Sequence, residues 1–242
     1  MMRSLWVGLH LVAATLTLGP LALLAALVRA PDRFFDWAGR AWASWILWAS
    51  RTPVHVEGLE HVHADRPQIF AANHQSWYDV FALAVAIPKR YRFVGKRELA
   101  RIPLFGTAWK AAGHISIDRR DRTAAIRSLE RAGRLVRRDN SAIVVFPEGT
   151  RSADGRLLPF KKGAVMLAIC TGIELVPVAI SGTRAILPKG AWRVRPGPII
   201  VRFGEPIRVA GYGEQDRDRL LAELRARIEG MLEQPRAARR AS

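Results

Sequence analysis

The sequence predicts an α/β fold: a mostly parallel sheet flanked by helices, behind an N-terminal apolar helical membrane segment. Three observations predict it. From residue 51 onward short β-like runs alternate with helical stretches, the pattern of strand–helix–strand units that builds parallel sheets. The apolar excess is gathered at one end of the chain, where a long run is almost free of charge. The positive charge is gathered at the other. The formal net charge is +17 over 242 residues, yet residues 1–50 carry only Arg3, Arg29, Arg33 and Arg40 against Asp32 and Asp36, a net of +2 that leaves +15 for the remainder.

From Leu5 to Val28 the only ionisable residue is His10. As a helix these 24 residues span about 36 Å, against a hydrocarbon core of about 30 Å. Pro20 admits either a kinked span or a helix dipping into one leaflet. A cleaved signal peptide is the competing reading, since Arg3 precedes the run. The run is long for one, and Val28-Arg29-Ala30-Pro31 is a poor cleavage site, which favours a retained membrane segment. Next, Phe34, Trp37, Ala38, Ala41, Trp42, Trp45 and Trp48 recur at helical spacing, with Asp36, Arg40 and Ser44 as an opposite polar stripe. A helix packed on the domain core would show the same pattern. Four of the chain's eight tryptophans lie here, however, beside the apolar run, which favours an interfacial helix. Arg29, Arg33 and Arg40 follow the run while Arg3 alone precedes it, so the positive-inside rule puts the following domain on the cytoplasmic face. The expected organisation is membrane-associating helices over 1–50, a domain over 51–234 that folds without them, and a frayed tail over 235–242.

Within that domain the strand candidates are Val54–Val56, Gln68–Ala72, Tyr91–Gly95, His114–Asp118, Ala142–Phe146, Leu175–Ile180 and Ile199–Phe203. Helical stretches fall near 77–86, 98–112, 121–138, 161–171 and 214–233. The Pro/Gly-rich stretch Pro188–Pro198 reads as a loop or hairpin. Half of the residues are hydrophobic and the mean hydropathy is +0.03, which excludes a disordered basic tail. A single cysteine excludes an internal disulfide framework and any zinc site built on several cysteines. Two anionic partners remain open: a membrane surface and nucleic acid.

Two constellations carry chemistry. Asn73-His74-Gln75-Ser76-Trp77-Tyr78-Asp79 follows a buried strand. His74 and Asp79 would lie about 140° apart on a regular helix and meet only if the backbone bends between them, as at a strand-to-helix junction. A carboxylate on one ring nitrogen makes the other a better base. Taken alone the spacing is weak, and a capping Asn or Ser beside an incidental His explains it equally well. Phe146-Pro147-Glu148-Gly149-Thr150-Arg151-Ser152 follows another apolar strand. Its Gly and Thr permit a tight turn with exposed amides, and its Arg offers a planar fork for an oxyanion. A surface salt bridge would use the same residues.

Together the two strings resemble the His-x4-Asp and Glu-Gly-Thr-Arg motifs of the glycerolipid acyltransferases, especially those acting on 1-acyl-sn-glycerol-3-phosphate. Weaker blocks follow in family order: Lys96-Arg97-Glu98-Leu99, Gly113-His114-Ile115-Ser116-Ile117-Asp118-Arg119, Phe160-Lys161-Lys162-Gly163 and Val176-Pro177-Val178-Ala179. Ser116 stands where the family commonly has an aromatic or aliphatic residue. The likeness covers about residues 54–206 and makes 51–234 a catalytic domain.

The resemblance implies transfer of a fatty acyl group from a thioester to the sn-2 hydroxyl of lysophosphatidic acid, forming phosphatidic acid. It assigns His74 as general base and Asp79 as the group that orients its ring. Glu148, Gly149, Thr150 and Arg151 would form the acceptor phosphate site, with Lys96 and Arg119 contributing and Glu148 orienting Arg151 or a substrate hydroxyl. No cofactor or metal is implied. The co-substrate is an acyl-CoA or acyl carrier protein thioester, and the partners are a membrane lipid acceptor and an anionic membrane surface. Another lysolipid or an amino-lipid is the alternative acceptor, because the motifs fix the reaction better than the acceptor. Ser76 as a nucleophile is disfavoured.

Other conspicuous residues read as structural. Cys170 is expected to pack within its helix. His61 and His63 lack clustered ligands and are expected to be exposed. Arg127, Arg131, Arg134 and Arg138 share one helix face, either solvated or facing lipid headgroups or the donor's phosphates. A basic nucleic-acid-binding protein would explain the charge but not the apolar run, and no nucleic-acid motif is present. A secreted serine hydrolase would need Gly-x-Ser-x-Gly, which is absent.

Overall fold

The computed structural model describes residues 1–117 and 122–234, and of the side chains in 122–130 only Ser128. Two helices come first, α1 (Met2–Leu27) and α2 (Asp32–Ser50). Then follow β1 (Val54–Glu57), β2 (Gln68–Ala72), α3 (Tyr78–Ala86), β3 (Tyr91–Lys96), α4 (Phe105–Ala111), β4 (Ile115–Ile117), α5 (Arg122–Asp139) and β5 (Ala142–Val145). After these come α6 (Gly163–Thr171), β6 (Leu175–Ser181), a single turn α7 (Thr183–Ile186), β7 (Ile199–Phe203) and α8 (Arg217–Glu233). Every strand candidate contains a strand, and Asp118, at the end of one of them, lies outside the described residues.

The seven strands lie in the order β1-β7-β6-β2-β5-β3-β4. β2 through β6 are mutually parallel, whereas β7 runs antiparallel to β6 and β1 runs with β7. The start of β1 therefore lies at the same edge of the sheet as the carboxyl ends of the parallel strands. The Pro188–Pro198 stretch, read as a loop or hairpin, lies in the connection that reverses the chain between β6 and β7.

Both faces of the sheet are covered, and the pleat explains why β2 is buried throughout. Phe70 and Ala72 point to one side, where Leu83 of α3 and Ala43, Ile46 and Leu47 of α2 join them. Ile69 and Ala71 point to the other, beneath Val136 of α5, Val165 of α6 and Leu220, Leu224 and Ile228 of α8. The expected helix over 98–112 breaks in two. A 3₁₀ turn spans Arg97–Arg101, Pro103 forces Ile102 into extended backbone, and Leu104 takes a positive φ of 61° before α4 begins. Pro20 does not end α1.

The polar stripe of α2 divides, for Ser44 is exposed while Asp36 and Arg40 turn toward the domain. Asp36 is buried, accepting from Arg92 Nη1 at 3.0 Å and from Arg90 Nε at 3.1 Å. Arg40 Nη2 donates to Ile87 O at 3.0 Å. Arg92 is itself buried, and a buried cation requires a counter-ion. α2 contributes to the core across the expected boundary at residue 50. The exposed side of α2 carries Trp37 and Trp48.

Cys170 is exposed, contrary to expectation. α6 buries Ala164, Val165, Leu167 and Ala168, which leaves Cys170 on the outer side of the helix. His61 and His63 are partly buried rather than exposed, and His63 N donates to Gln68 Oε1 at 2.9 Å. The tail 235–242 and the side chain of Arg127 lie outside the described residues. Ser116, the departure from family pattern, lies within reach of Trp109 Nε1 as its acceptor at 3.2 Å.

Candidate active site

The site forms where β2 ends. Asn73 is buried and bridges to β6 through both amide atoms: Nδ2 donates to Ile180 O at 2.9 Å, and Oδ1 accepts from Ile180 N at 2.7 Å. This fixes the direction in which the chain leaves the sheet. The backbone then bends, as the His-x4-Asp spacing requires, before α3 starts at Tyr78. Asp79 lies in the first turn of α3, where a carboxylate is favoured by the helix dipole. Its Oδ2 accepts from Gln75 N at 2.6 Å, from Ser76 N at 2.8 Å and pairs with His74 Nδ1 at 2.8 Å. Asp79 is fully buried while the His74 side chain keeps 14% exposure. With Nδ1–H donating to the carboxylate, Nε2 is the basic nitrogen. The imidazole also stacks on Phe146, with ring centroids 4.0 Å apart.

The second string follows β5, the neighbour of β2, and meets the first through backbone. Ser152 N donates to His74 O at 2.8 Å. Gly149 takes a positive φ of 70°, and a Cβ there would lie 3.1 Å from the Lys161 Cδ and Cε atoms. The turn thus favours glycine by its φ, whereas the lysine side chain would need to shift by only a few tenths of an ångström to admit a Cβ. Arg151 lies over the Trp77 ring, 5.0 Å from its centroid. Lys189 Nζ approaches Thr150 Oγ1 at 3.4 Å.

Of the two roles implied for Glu148, orienting Arg151 or a substrate hydroxyl, the first is not seen. Glu148 is buried, and both oxygens are occupied by backbone donors: Oε1 by His74 N at 2.6 Å and Oε2 by Leu158 N at 2.9 Å. It does not orient Arg151, whose guanidinium rests on Trp77. Burial pushes the Glu148 carboxyl above its ordinary range, opposed by the two amide bonds. The glutamate braces the His74 loop against the turn.

The structure therefore brings His74, Asp79, Glu148, Gly149, Thr150 and Arg151 into one cluster. Lys96 is exposed at the carboxyl end of β3, two strands away on the same edge of the sheet. Arg119 lies outside the described residues. Trp77, Phe146, Lys161 and Lys189 were not singled out as site residues from sequence. Trp77, Phe146 and Lys161 lie inside the quoted strings, whereas nothing in the sequence marks Lys189. No group of three or more His, Cys, Asp or Glu able to hold a metal occurs among the described residues.

A base held by a buried carboxylate, beside an arginine-bearing turn at the end of a parallel sheet, can take a proton from a hydroxyl next to a cationic group. The Acyltransferase family model matches residues 53–181, and the chain belongs to that family. It is 38% identical over 170 residues to a 1-acyl-sn-glycerol-3-phosphate acyltransferase of Cocos nucifera, covering 70% of this chain and 54% of that one. It is 38% identical over 144 residues to the enzyme of the same name from Haemophilus influenzae, covering 60% and 59% respectively. The chain spans a little over half the length of the curated relatives it matches. Its fold is similar to the crystal structure of the 1-acyl-sn-glycerophosphate (LPA) acyltransferase PlsC from Thermotoga maritima, with a TM-score of 0.80, 26% identity and 97% of each chain covered.

Proposed function

We propose that this protein transfers a fatty acyl group from an acyl thioester to the sn-2 hydroxyl of lysophosphatidic acid, forming phosphatidic acid. The observation that carries the reading is the 2.8 Å His74–Asp79 pair beside the Gly149–Arg151 turn. His74 Nε2 takes the hydroxyl proton as the acceptor oxygen attacks the thioester carbonyl. The carbon–sulfur bond then breaks, and the imidazolium returns the proton to the departing thiolate. Asp79 holds the ring and stabilises its charged form, and the acceptor hydroxyl takes the place that a serine occupies in a hydrolase triad. Arg151, with the Gly149 and Thr150 turn, binds the acceptor phosphate, and Lys96, at the end of β3, and Arg119 add positive charge. Acyl-CoA or an acyl carrier protein thioester serves as donor, with no cofactor.

The acceptor is a membrane amphiphile, so the enzyme works at a bilayer. α1 is long and apolar enough to cross one and is largely exposed along its length. The arginines that follow it support a catalytic domain on the cytoplasmic face. The test is purified enzyme in mixed micelles with a panel of lysolipid acceptors and both donor types. Phosphatidic acid formed from lysophosphatidic acid well above all other products is expected. Preference for an acceptor without phosphate would refute the assignment.

A further inference from the structure

The connection between β6 and β7 presents a second surface. From Gly182 to Gly204 the chain has no acidic residue, yet it carries Arg184, Lys189, Arg193, Arg195 and Arg202. Residues 189–193 are exposed without interruption, and Trp192 among them is 62% exposed. An indole held in open water by a cationic loop is unfavourable there and suited to a lipid headgroup layer, where ring and cations both find partners.

Contacts on either side fix where this loop stands. Val194 N donates to Ser4 Oγ at 3.0 Å, which seats the loop against the first turn of α1. At that same end of the helical pair Trp6 and Trp48 are also exposed, and Arg51 closes α2. Both indoles pack around His10, with ring centroids 4.1 Å and 5.5 Å from it. On its other side the loop reaches the active site: Ser76 Oγ donates to Leu187 O at 2.8 Å, and Lys189 meets Thr150. One segment thus joins the apolar helix, an aromatic and cationic belt, and the mouth of the catalytic cleft.

We propose that the 188–195 loop is an interfacial foot, which docks in the headgroup layer of an anionic bilayer and turns the active-site mouth toward that layer. The proposal rests on the membrane reading of α1 as a helix lying in one leaflet and not crossing, because the domain touches it at Ser4 near its start and at Ala22 and Ala25 near its end. It supplies what α1 alone lacks, because an apolar helix fixes attachment but not rotation about its own axis. Trp192 and its flanking cations add a second point of contact. The phosphate and hydroxyl of the acceptor then reach Arg151 and His74 without leaving the headgroup region.

The test uses the full chain carrying Ala191→Cys on a Cys170→Ser background, labelled with an environment-sensitive fluorophore. The vesicles are phosphatidylcholine with or without phosphatidylglycerol. On anionic vesicles the label is expected to shift to the blue, lose access to iodide and be quenched by nitroxide lipids at headgroup depth. A label that stays open to iodide on protein pelleted with the vesicles overturns the foot and leaves the membrane reading of α1 standing. Protein that does not pellet overturns both. In a second arm, Trp192→Ser combined with Arg193→Gln should cut activity on anionic vesicles by about fivefold or more, the worth of one surface cation. Activity on a water-dispersed short-chain acceptor should stay within about twofold of the parent. An equal loss in both assays, or a raised donor KM alone, makes the loop a substrate-binding element and overturns the proposal.

Discussion

On the proposed reaction His74 matters only while a proton moves, whereas Arg151 matters for as long as the acceptor is bound. His74→Ala should therefore lower kcat by roughly 10²-fold to 10⁴-fold with a smaller effect on acceptor KM. Arg151→Ala should raise acceptor KM and leave donor KM nearly unchanged, with some loss of kcat from misplacement of the hydroxyl. Arg151→Lys should recover only part of this, since ammonium keeps the charge and loses the planar fork. A two-substrate kinetic matrix decides: near-normal turnover by His74→Ala eliminates the general base, and an unchanged acceptor KM in Arg151→Ala moves the phosphate site elsewhere. Glu148 makes a different prediction. Glu148→Gln puts an amide donor against a backbone N–H, leaving one buried group unsatisfied at a cost of about 1–3 kcal/mol. Tm and kcat should fall together while acceptor KM stays within about twofold of the parent, because the brace and not the phosphate contact is lost. A raised acceptor KM at unchanged Tm would return Glu148 to the phosphate site. The motif string shows that a glutamate stands there but not what its oxygens face. One of its partners, Leu158 N, is ten residues further on, in a loop that no local pattern marks.

The elements themselves were legible because their signals are local. Buried strands such as Gln68–Ala72 and Ala142–Val145 are short apolar runs, and α8 repeats Leu220, Leu224 and Ile228 at four-residue spacing. What was not legible is which side of α2 faces the domain. Its periodicity locates an apolar stripe but not a buried arginine on β3 that needs Asp36. Among the described residues, removing that partner leaves Arg92 with the more distant Asp32 and Asp139 carboxylates, at 3.6 Å each. Asp36→Asn should therefore destabilise the fold by about 3 kcal/mol, the lower end for breaking a buried pair. Thermal unfolding in detergent tests this, and a loss below ~0.5 kcal/mol would make the pair a mere surface contact. His114, packed beside Trp109 and Tyr91, gives a pH signature. Burial, with Arg92 adding to it, lowers its pKa to about 3. The unfolded chain takes up a proton near pH 6.5 that the folded state refuses, so stability is complete above that pH and falls as pH drops toward 3. The slope is at most ~1.4 kcal/mol per pH unit for one proton. His114→Phe should flatten the difference in Tm between pH 7 and pH 5, and an unchanged difference would mean that His114 titrates normally.

At the scale of the whole molecule, attachment and folding are expected to divide nearer residue 28 than residue 50, where the charge distribution changes. The composition changes after residue 50, but the core does not. Ala43, Ile46 and Leu47 of α2 sit in one cluster with Phe70, Leu83 and Val144, and Asp36 neutralises Arg92 from the same helix. α1 is different. Its buried positions are mostly alanines, Ala14, Ala22 and Ala25, with Val7, whereas Leu5, Leu9, Val12, Leu16, Leu24 and Leu27 are exposed. Small residues bury little area at about 25 cal/mol per Å², so α1 adds modestly to the fold while offering a large apolar face to lipid. Deleting residues 1–28 should therefore leave a folded domain that binds anionic vesicles only through its cations and is released by high salt. Deleting residues 1–50 should expose the core face of α3 and strand Arg92, giving an aggregated chain without a cooperative unfolding transition. The measurement is vesicle sedimentation before and after a high-salt wash, paired with thermal unfolding of each truncation. A 1–28 deletion that stays on vesicles through the wash places the anchor in α2 or the 188–195 loop. A 1–50 deletion that unfolds cooperatively at the parent Tm would restore the boundary at residue 50 and make the Asp36–Arg92 pair dispensable.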